Sequence, residues 1–379
     1  MTLKLAVSLS VSILLGAFAH DLMADEKSQF STVPLPVGLL APDAKATRAA
    51  IVCFFEGPAV DENGNVYFSD IPSDRILKMS PEGQVSVFRT DSGRANGNAF
   101  DSEGRLISCE GYGLESGGRR RVVRTDMKTG KITVLTERYE GKRYNSPNDL
   151  CVDDKGRIWF TDPRYGERGD MDMDDEGVYR IDPDGRVTRV LSQPEVQKPN
   201  GIVAAPDAKT LYVADSNDSP GGNRKILALD ISDKGELSNR RTVFDFVQGR
   251  GGDGIRVDVN GNLWVAAGIS NPRPPGEVTD VPQGVYVISP QGKLLGRIPI
   301  PEDYVANLAF GGPDRKILYV LAGTSVYKIP VTVSGYAAFP PLQAQAPEAV
   351  NRLGALLPMY SPKFETGFSL LYSAPTRGS

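Results

Sequence analysis

The stretch DDKGRIWF at residues 153–160 contains the pattern that decides the fold: an acidic turn with glycine, then a β-rich strand with an aromatic residue. Five related stretches are DENGNVYF at 61–68, DSEGRLI at 101–107, PDAKTLYV at 206–213, DVNGNLWV at 258–265 and PDRKILYV at 313–320. Their spacing of about 40 to 55 residues is typical of β-propeller blades. The Asp/Asn-Gly turns between alternating segments indicate hairpins.

A second hairpin follows most of these stretches, as in residues 75–79 with 85–88 and residues 177–181 with 187–190. Each unit then has four antiparallel strands, and six units closed in a ring leave only short, protected strand edges. We therefore predict an all-β fold, a six-bladed β-propeller of four-stranded antiparallel blades. Because the sixth unit has room for three clear strands, we expect residues 46–54 to supply its outer strand.

The N-terminal residues predict export. One positive charge precedes an apolar run that ends in Ala17-Phe18-Ala19, as in a cleaved secretory signal peptide. A membrane anchor is the alternative, but the run is shorter than the ~20 apolar residues that a span needs. We expect a periplasmic or extracellular protein with no stable membrane span after cleavage.

The rest of the chain divides by composition. We expect a signal peptide over residues 1–19, an N-terminal extension over 20–45, the catalytic propeller over 46–333 and a C-terminal tail over 334–379. The three cysteines, Cys53, Cys109 and Cys151, stand in or beside apolar runs and are predicted to be buried thiols.

Charge and histidine content exclude several functions. A formal net charge of −4 gives no electrostatic reason to expect nucleic-acid binding. His20 is the only histidine in the sequence and lies at the predicted cleavage point. Catalytic triads with histidine and zinc sites built on imidazole are therefore excluded.

When the six units are aligned on the repeated pattern, an oxygen-bearing side chain begins each inner strand. These residues are Glu56, Asn96, Asn148, Asn200, Asp253 and Asn307. Inner strands of a propeller begin near the central axis on one face, so we expect the six side chains to converge. Carboxylates and carboxamides without thiol or imidazole suit a hard cation such as Ca²⁺, although another divalent cation remains open. The alternative is that these residues cap turns, but capping does not need Glu in one unit and Asp in another.

Acidic residues also end the second strands of the first four units. They are Asp70, Glu110, Asp162 and Asp215. Two interpretations remain open: an outer shell that orients ligands or binds a polyhydroxy substrate, or turn residues without a role in function.

Several motifs, in order and spacing from Glu56 to Tyr327, resemble the senescence marker protein, regucalcin and gluconolactonase family of lactonases. The motifs are EGP at 56–58, NSPND at 145–149, FTDPRYG at 160–166, PNG at 199–201, YVAD at 212–215, GDG at 252–254 and NLAFGG at 307–312. The animal branch of this family has a sugar-binding arginine near the position of Asn96 or Asn148. Ser146 and Asn96 occupy the nearest positions here.

The resemblance implies a small-molecule lactone substrate and a divalent cation, usually calcium. It implies that the cation is held by the residues matching Glu56, Asn200 and Asp253, with Asp253 as the general base. The residue matching Asn148 is either a further ligand or a substrate contact, and we include it in the expected ligand set. Substrate contacts are expected from Asn96, Asn148, Asp149, Asp162 and Asn307.

The expected function is a calcium-dependent hydrolase that opens a sugar lactone by attack of a metal-activated water on the ring ester. One alternative is a calcium-dependent phosphotriesterase-like hydrolase, because a Lewis-acid cation does not distinguish acyl from phosphoryl oxygen. The other is a non-catalytic propeller that binds sugar or protein and uses calcium to hold the ring together.

Overall fold

The computed structural model describes residues 35–45, 47–51, 54–113, 117–271 and 278–340. The predicted signal peptide, Cys53 and residues 341–379 of the predicted tail lie outside these ranges. None of the described residues forms a helix long and apolar enough to cross a membrane. The regular structure within the described ranges is β, apart from a 3₁₀ helix at Pro313–Arg315.

The strands are numbered in chain order. They are β1 (Thr47–Ile51), β2 (Phe55–Val60), β3 (Val66–Asp70), β4 (Arg75–Met79), β5 (Val85–Thr90), β6 (Ala95–Phe100), β7 (Leu106–Glu110), β8 (Arg121–Thr125), β9 (Ile132–Thr136), β10 (Arg138–Tyr139), β11 (Lys142–Arg143), β12 (Leu150–Val152), β13 (Ile158–Asp162), β14 (Gly177–Ile181), β15 (Val187–Ser192), β16 (Pro199–Ala204), β17 (Thr210–Ser216), β18 (Arg224–Ile231), β19 (Leu237–Asp245), β20 (Gly252–Asp258), β21 (Leu263–Ala267), β22 (Gly284–Ile288), β23 (Leu294–Pro299), β24 (Val305–Gly311), β25 (Ile317–Ala322), β26 (Ser325–Pro330) and β27 (Gly335–Tyr336).

Six antiparallel sheets form the six predicted blades, so the predicted fold class is confirmed. Blades one to five contain β2–β5, β6–β9, β12–β15, β16–β19 and β20–β23, and blade six contains β24–β26. The outer strand of blade six is β1, which pairs with β26 and places Thr47 opposite Lys328. The predicted closure of the ring by the N-terminal segment is therefore confirmed. β10 and β11 form a separate small hairpin.

The chain continues beyond blade six into β27, which pairs with the inner strand β20 of blade five. Tyr336 lies opposite Val257 in this pairing. Residues 336–340 then line a cavity together with the last residues of the inner strands. We call residues 335–340 the strap, because they cross one end of the central channel.

The hydrophobic core of the described residues consists of six clusters, one at each junction between neighbouring blades. Alternate residues of a strand pack against opposite neighbours: Ile158 and Phe160 face blade two, whereas Trp159 faces blade four. Both faces of each blade are buried, so these strands read as continuous apolar runs. Cys109 lies in one cluster as a free, buried thiol.

The acidic residue of the repeated pattern holds the turn and the aromatic ring together. Asp153 Oδ1 accepts the backbone N–H groups of Lys155 and Arg157, both at 3.0 Å. Trp159 Nε1 donates to Asp153 Oδ2 at 2.9 Å. Gly156 supplies the left-handed turn conformation at φ +75°. The acid, the glycine and the aromatic residue recur together because they make one hydrogen-bonded unit.

Candidate active site

Five of the six predicted ring residues line one cavity at the centre of the propeller, and we call them the entrance ring. The ring consists of Glu56, Asn96, Asn148, Asn200 and Asp253. Four of them are the second residue of an inner strand, and in each of those strands the pairing register shifts at this point. A β-bulge bends a strand and redirects its side chains. The same irregularity therefore brings equivalent positions to one cavity.

A glycine follows the ring residue in four blades: Gly57, Gly97, Gly201 and Gly254. A Cβ on Gly201 would lie 2.1 Å from the carbonyl oxygen of Asp253, and one on Gly57 would lie 2.1 Å from that of Asn96. The inner strands therefore approach one another more closely than any side chain at this position permits. Blade three has Asp149 at the equivalent position, and this places a carboxylate inside the channel.

The structure places Asn307 and Asp149 next to the ring but not at the surface of its cavity. Both are buried, with exposures of 1% and 0%. Asn307 Nδ2 donates to Glu56 Oε2 at 3.1 Å and lies 3.4 Å from Asp149 Oδ2. Arg256 Nη1 lies 3.4 Å from the same oxygen. These side chains form a polar layer that supports Glu56 from inside the channel.

Two of the four acidic residues at the ends of the second strands, Asp162 and Asp215, hold the segments that lead into the ring, whereas Asp70 and Glu110 bind arginine side chains. The Asp162 carboxylate accepts the backbone N–H groups of Asn145 and Ser146 at 2.8 and 2.7 Å. Asp215 accepts those of residues 197 and 198 at 3.0 and 2.8 Å. Asp162 is fully buried and does not line the cavity. The geometry of Asp162 therefore agrees with the first part of the outer-shell interpretation: this carboxyl group orients the segment before Asn148.

Burial raises the pKa of Asp162 to about 7, although the two backbone N–H donors oppose this shift. A neutral carboxyl and a carboxylate are therefore both accessible to this side chain near neutral pH.

The ring concentrates negative charge. Burial raises the pKa of Glu56 well above its ordinary value, and the nearby carboxylates of Asp253 and Asp149 raise it further. Arg250 forms an ion pair with Asp253 Oδ2 and donates from Nη1 to the carbonyl oxygen of Val305 at 2.9 Å. The buried acidic groups at this point favour binding of additional positive charge.

The oxygen atoms of the ring suit a cation. Asn96 Oδ1 and Asn200 Oδ1 are buried and accept no hydrogen bond, whereas Asn200 Nδ2 donates to Tyr165 Oη at 3.0 Å. No three His, Cys, Asp or Glu side chains of the described residues form a metal cluster by themselves. The ring instead combines two carboxylates with three carboxamides, a donor set typical of a hard cation such as calcium.

Among the other side chains that line the cavity, sequence reasoning missed Arg94, Tyr165, Arg224 and Arg250. No repeated position marks them. Arg94 and Arg250 stand two and three residues before a ring residue. Arg94 adopts a left-handed conformation at φ +60°. Its N–H donates to Asp74 Oδ1 at 2.7 Å, and its Nη1 donates to the carbonyl oxygen of Ile71 at 3.0 Å. An arginine shortly before the ring residue was the available signal.

Comparison with known proteins agrees with this geometry. Residues 54–324 match the family model described as the SMP-30/gluconolactonase/LRE-like region. The chain belongs to this family. A gluconolactonase of Zymomonas mobilis is 32% identical over 317 residues, which cover 78% of this chain and 82% of the relative. The structure of a Xanthomonas campestris gluconolactonase is 31% identical with a TM-score of 0.67, covering 80% of this chain and 96% of that one.

A regucalcin of Xenopus laevis is 28% identical, over 70% of this chain and 81% of its own length. The resemblance found in the motifs is thus confirmed over nearly the whole propeller. Membership of this family identifies the chain as a lactonase.

Proposed function

We propose that this lactonase opens the ring ester of a sugar lactone at the entrance ring, with calcium held by Glu56, Asn148, Asn200 and Asp253. The observation that carries the proposal is the convergence of five oxygen-bearing side chains on one cavity, where two buried carboxamide oxygens accept no hydrogen bond. The names of the gluconolactonase relatives support a sugar lactone as substrate.

When bound, the cation would supply Lewis-acid polarisation of the lactone carbonyl and balance the charge of the two ring carboxylates. The chain's own residues supply the proton transfer: a carboxylate oxygen of Asp253 would accept a proton from the attacking water. Arg250 orients Asp253 by binding its Oδ2 atom. Glu56 is held from below by Asn307, and this favours a fixed ligand over a mobile base.

Two carboxamides of the ring and two arginines of the cavity lining provide positions for the sugar. Asn96 and Asn148 present carboxamides that can donate to or accept from hydroxyl groups. Asp149, Asp162 and Asn307 lie away from the cavity surface, so we propose that they position the residues that contact the substrate. Arg94 and Arg224 also line the cavity and provide guanidinium donors.

The first prediction tests this proposal with a pH-indicator assay on a panel of aldonolactones, with and without a chelator. We expect acid release that chelation abolishes and added calcium restores. Asp253→Asn should keep the fold and lower kcat/KM about 1,000-fold, because the variant loses the proton acceptor. Asp184→Asn, an exposed turn residue, is the control and should retain full activity.

Turnover that survives in Asp253→Asn would remove Asp253 from the role of base. Turnover of the wild type that is unaffected by chelation would remove the cation from the mechanism. A phosphotriester in the same panel tests the alternative hydrolase, and hydrolysis of that compound in preference to every lactone would replace the sugar-lactone proposal.

We also propose that the chain is exported and processed. The basis is the apolar run before Ala17-Phe18-Ala19. Expression of the full chain in a bacterial host should give a mature periplasmic or extracellular protein whose N-terminal sequence begins near residue 20. A mature protein that begins at Met1 would contradict cleavage.

A further inference from the structure

A second cavity lies at the end of the central channel opposite the entrance ring. Its walls come from the inner strands a few residues after the ring positions, including Ala59, Phe100, Val152 and Ile202. Residues 336–340 of the strap also line it. Residues from the ends of the inner strands and from the strap thus line the cavity together, and most of these residues are apolar.

Two charged side chains of the described residues line this cavity, Arg256 and Arg315. Arg256 Nη1 lies 3.4 Å from Asp149 Oδ2, whereas no carboxylate of the described residues pairs with Arg315. Arg315 is 92% buried, since its exposure is 8%. Its Nη1 atom donates to the carbonyl oxygen of Ala337 at 2.9 Å. Its Nη2 atom is buried and has no hydrogen-bond partner.

Such a guanidinium is costly unless something pairs with it. A buried charge without a counter-ion loses its hydration and receives no Coulombic return. Burial lowers the pKa of Arg315, and the neighbouring group that opposes this shift is Tyr336, a phenol. An anion in the cavity would satisfy both Nη2 and the charge.

The backbone holds Arg315 in place at some cost. Asp314 and Arg315 adopt φ values of +56° and +53° in the turn between β24 and β25. Left-handed conformations of residues other than glycine are maintained when the surroundings require them, and they concentrate at binding sites. The guanidinium is thus fixed by its turn and by the carbonyl oxygen of Ala337.

We propose that this cavity is a binding site for a small carboxylate with an apolar body. The carboxylate is held by Arg315, whose planar fork matches two oxygens. Arg256 lines the same cavity, but its charge is already matched by Asp149. The apolar walls favour a singly charged organic anion over phosphate, since phosphate would lose more hydration there.

The proposal is tested by calorimetric titration of the full chain with benzoate, with inorganic phosphate as a second probe. A chelator is present throughout, so that no cation at the entrance ring contributes. We expect benzoate to bind with one-to-one stoichiometry and more tightly than phosphate. Arg315→Met should weaken benzoate binding at least about tenfold, because a charge-assisted hydrogen bond is lost. Arg138→Met, an exposed arginine bonded to a carbonyl oxygen, is the control and should bind like the wild type.

Arg315 also holds the strap through the carbonyl oxygen of Ala337, so its substitution could disturb the cavity itself. A second variant therefore keeps both arginines and fills part of the cavity instead. Ala99 is half-buried in the cavity wall, so Ala99→Leu should reduce benzoate binding while leaving both arginines intact. Benzoate affinity that is equal in the wild type, Arg315→Met and Ala99→Leu would overturn the proposal. So would the absence of binding to the wild type, which would indicate a cavity filled by water. The test uses no lactone turnover, so its result is independent of the proposed lactonase mechanism.

Discussion

The two ends of the central channel are built from the same six inner strands but differ in strand pairing and in the polarity of their buried side chains. At the entrance, the register of β16 shifts between Pro199 and Ile202, and the ring residue Asn200 lies within the shift. Beyond it, Ile202 to Ala204 pair regularly with β17 and belong to the apolar half of the strand. Blades one, two and five show the same division.

The difference separates folding from function along each inner strand. The far half buries apolar side chains between blades and stabilises the ring in the ordinary way. The entrance half buries carboxylates and unsatisfied carboxamide oxygens, which cost free energy in the unliganded protein. Local rules are broken where a ligand is expected to compensate for the cost, and the predictions below test that division.

The largest expected effect concerns Asp162, which holds the segment before Asn148. Its pKa is raised from 3.8 to about 7, so the folded protein binds this proton more tightly than the unfolded chain. The stabilisation is fully present below about pH 4 and is lost as the pH rises through about 7. The wild type should therefore lose roughly 4 kcal/mol of its free energy of unfolding between pH 4 and pH 8 through this group. Asp162→Asn has no such titration, so its free energy of unfolding should rise by that amount relative to the wild type over the same range. Urea unfolding across this pH range measures the difference.

The matched control is Asp172→Asn on the loop between β13 and β14. The hydrogen bonds and charge of Arg143 lower the pKa of Asp172, so this partly exposed carboxylate stays ionised above pH 5. Its substitution should therefore leave the slope of stability against pH unchanged over the upper part of the range. Equal slopes for the wild type and Asp162→Asn would contradict a buried carboxyl that titrates near neutrality.

The next effect is steric and tests the close approach of the strands at the entrance. Gly201→Ala would place a Cβ 2.1 Å from the carbonyl oxygen of Asp253 and 2.8 Å from the amide nitrogen of Ile255. Both are backbone atoms, so the strands must move apart. We expect a loss of about 3 kcal/mol in the free energy of unfolding. Gly169→Ala, where no atom lies within 4 Å of the added Cβ, should change stability by less than about 0.5 kcal/mol. Similar losses in both variants would argue against steric exclusion at the ring.

The repeated pattern predicted the propeller because its chemistry is local. Asp153, Gly156 and Trp159 make their contacts within one hairpin, so their order in the sequence is sufficient to identify them. The convergence of the ring residues followed from the equivalence of the six units and needed no knowledge of side-chain geometry. Closure of blade six by β1 followed from the missing fourth strand.

The features that sequence reasoning missed depend on contacts between blades. Arg250 donates to the carbonyl oxygen of Val305 in blade six, and Asn200 of blade four donates to Tyr165 in the loop after β13. No fixed spacing encodes these approaches. The same limit applied to Asp149: its neighbour Asn148 lines the cavity, but the inner strand turns Asp149 into the channel. The strap was also missed, because its pairing with β20 joins positions far apart in the sequence.

A smaller effect should follow from Tyr165→Phe. Tyr165 Oη accepts the hydrogen bond from Asn200 Nδ2 and thereby fixes which end of the carboxamide is left for a cation. Without this hydroxyl the amide can rotate, so calcium affinity should fall about tenfold. Thermal stabilisation of the protein by added calcium measures this without any substrate. Tyr67→Phe, which loses a hydroxyl at the turn of blade one, is the control. Unchanged calcium affinity in Tyr165→Phe would remove Tyr165 from the support of the ring.

The smallest effect is expected at the far end, where Tyr336 of the strap packs partly buried against the cluster between blades four and five. Tyr336→Ala should cost about 1 kcal/mol of stability and leave kcat/KM on the best lactone within about twofold, because distant sites act nearly independently. The polar layer described above connects the two ends. Arg256 lines the far cavity and lies 3.4 Å from Asp149 Oδ2. Asn307 lies beside the same oxygen and donates a hydrogen bond to Glu56 of the entrance ring. A tenfold loss of activity in Tyr336→Ala, at unchanged calcium affinity, would show that this polar layer transmits changes along the channel. The two ends would then form one functional unit.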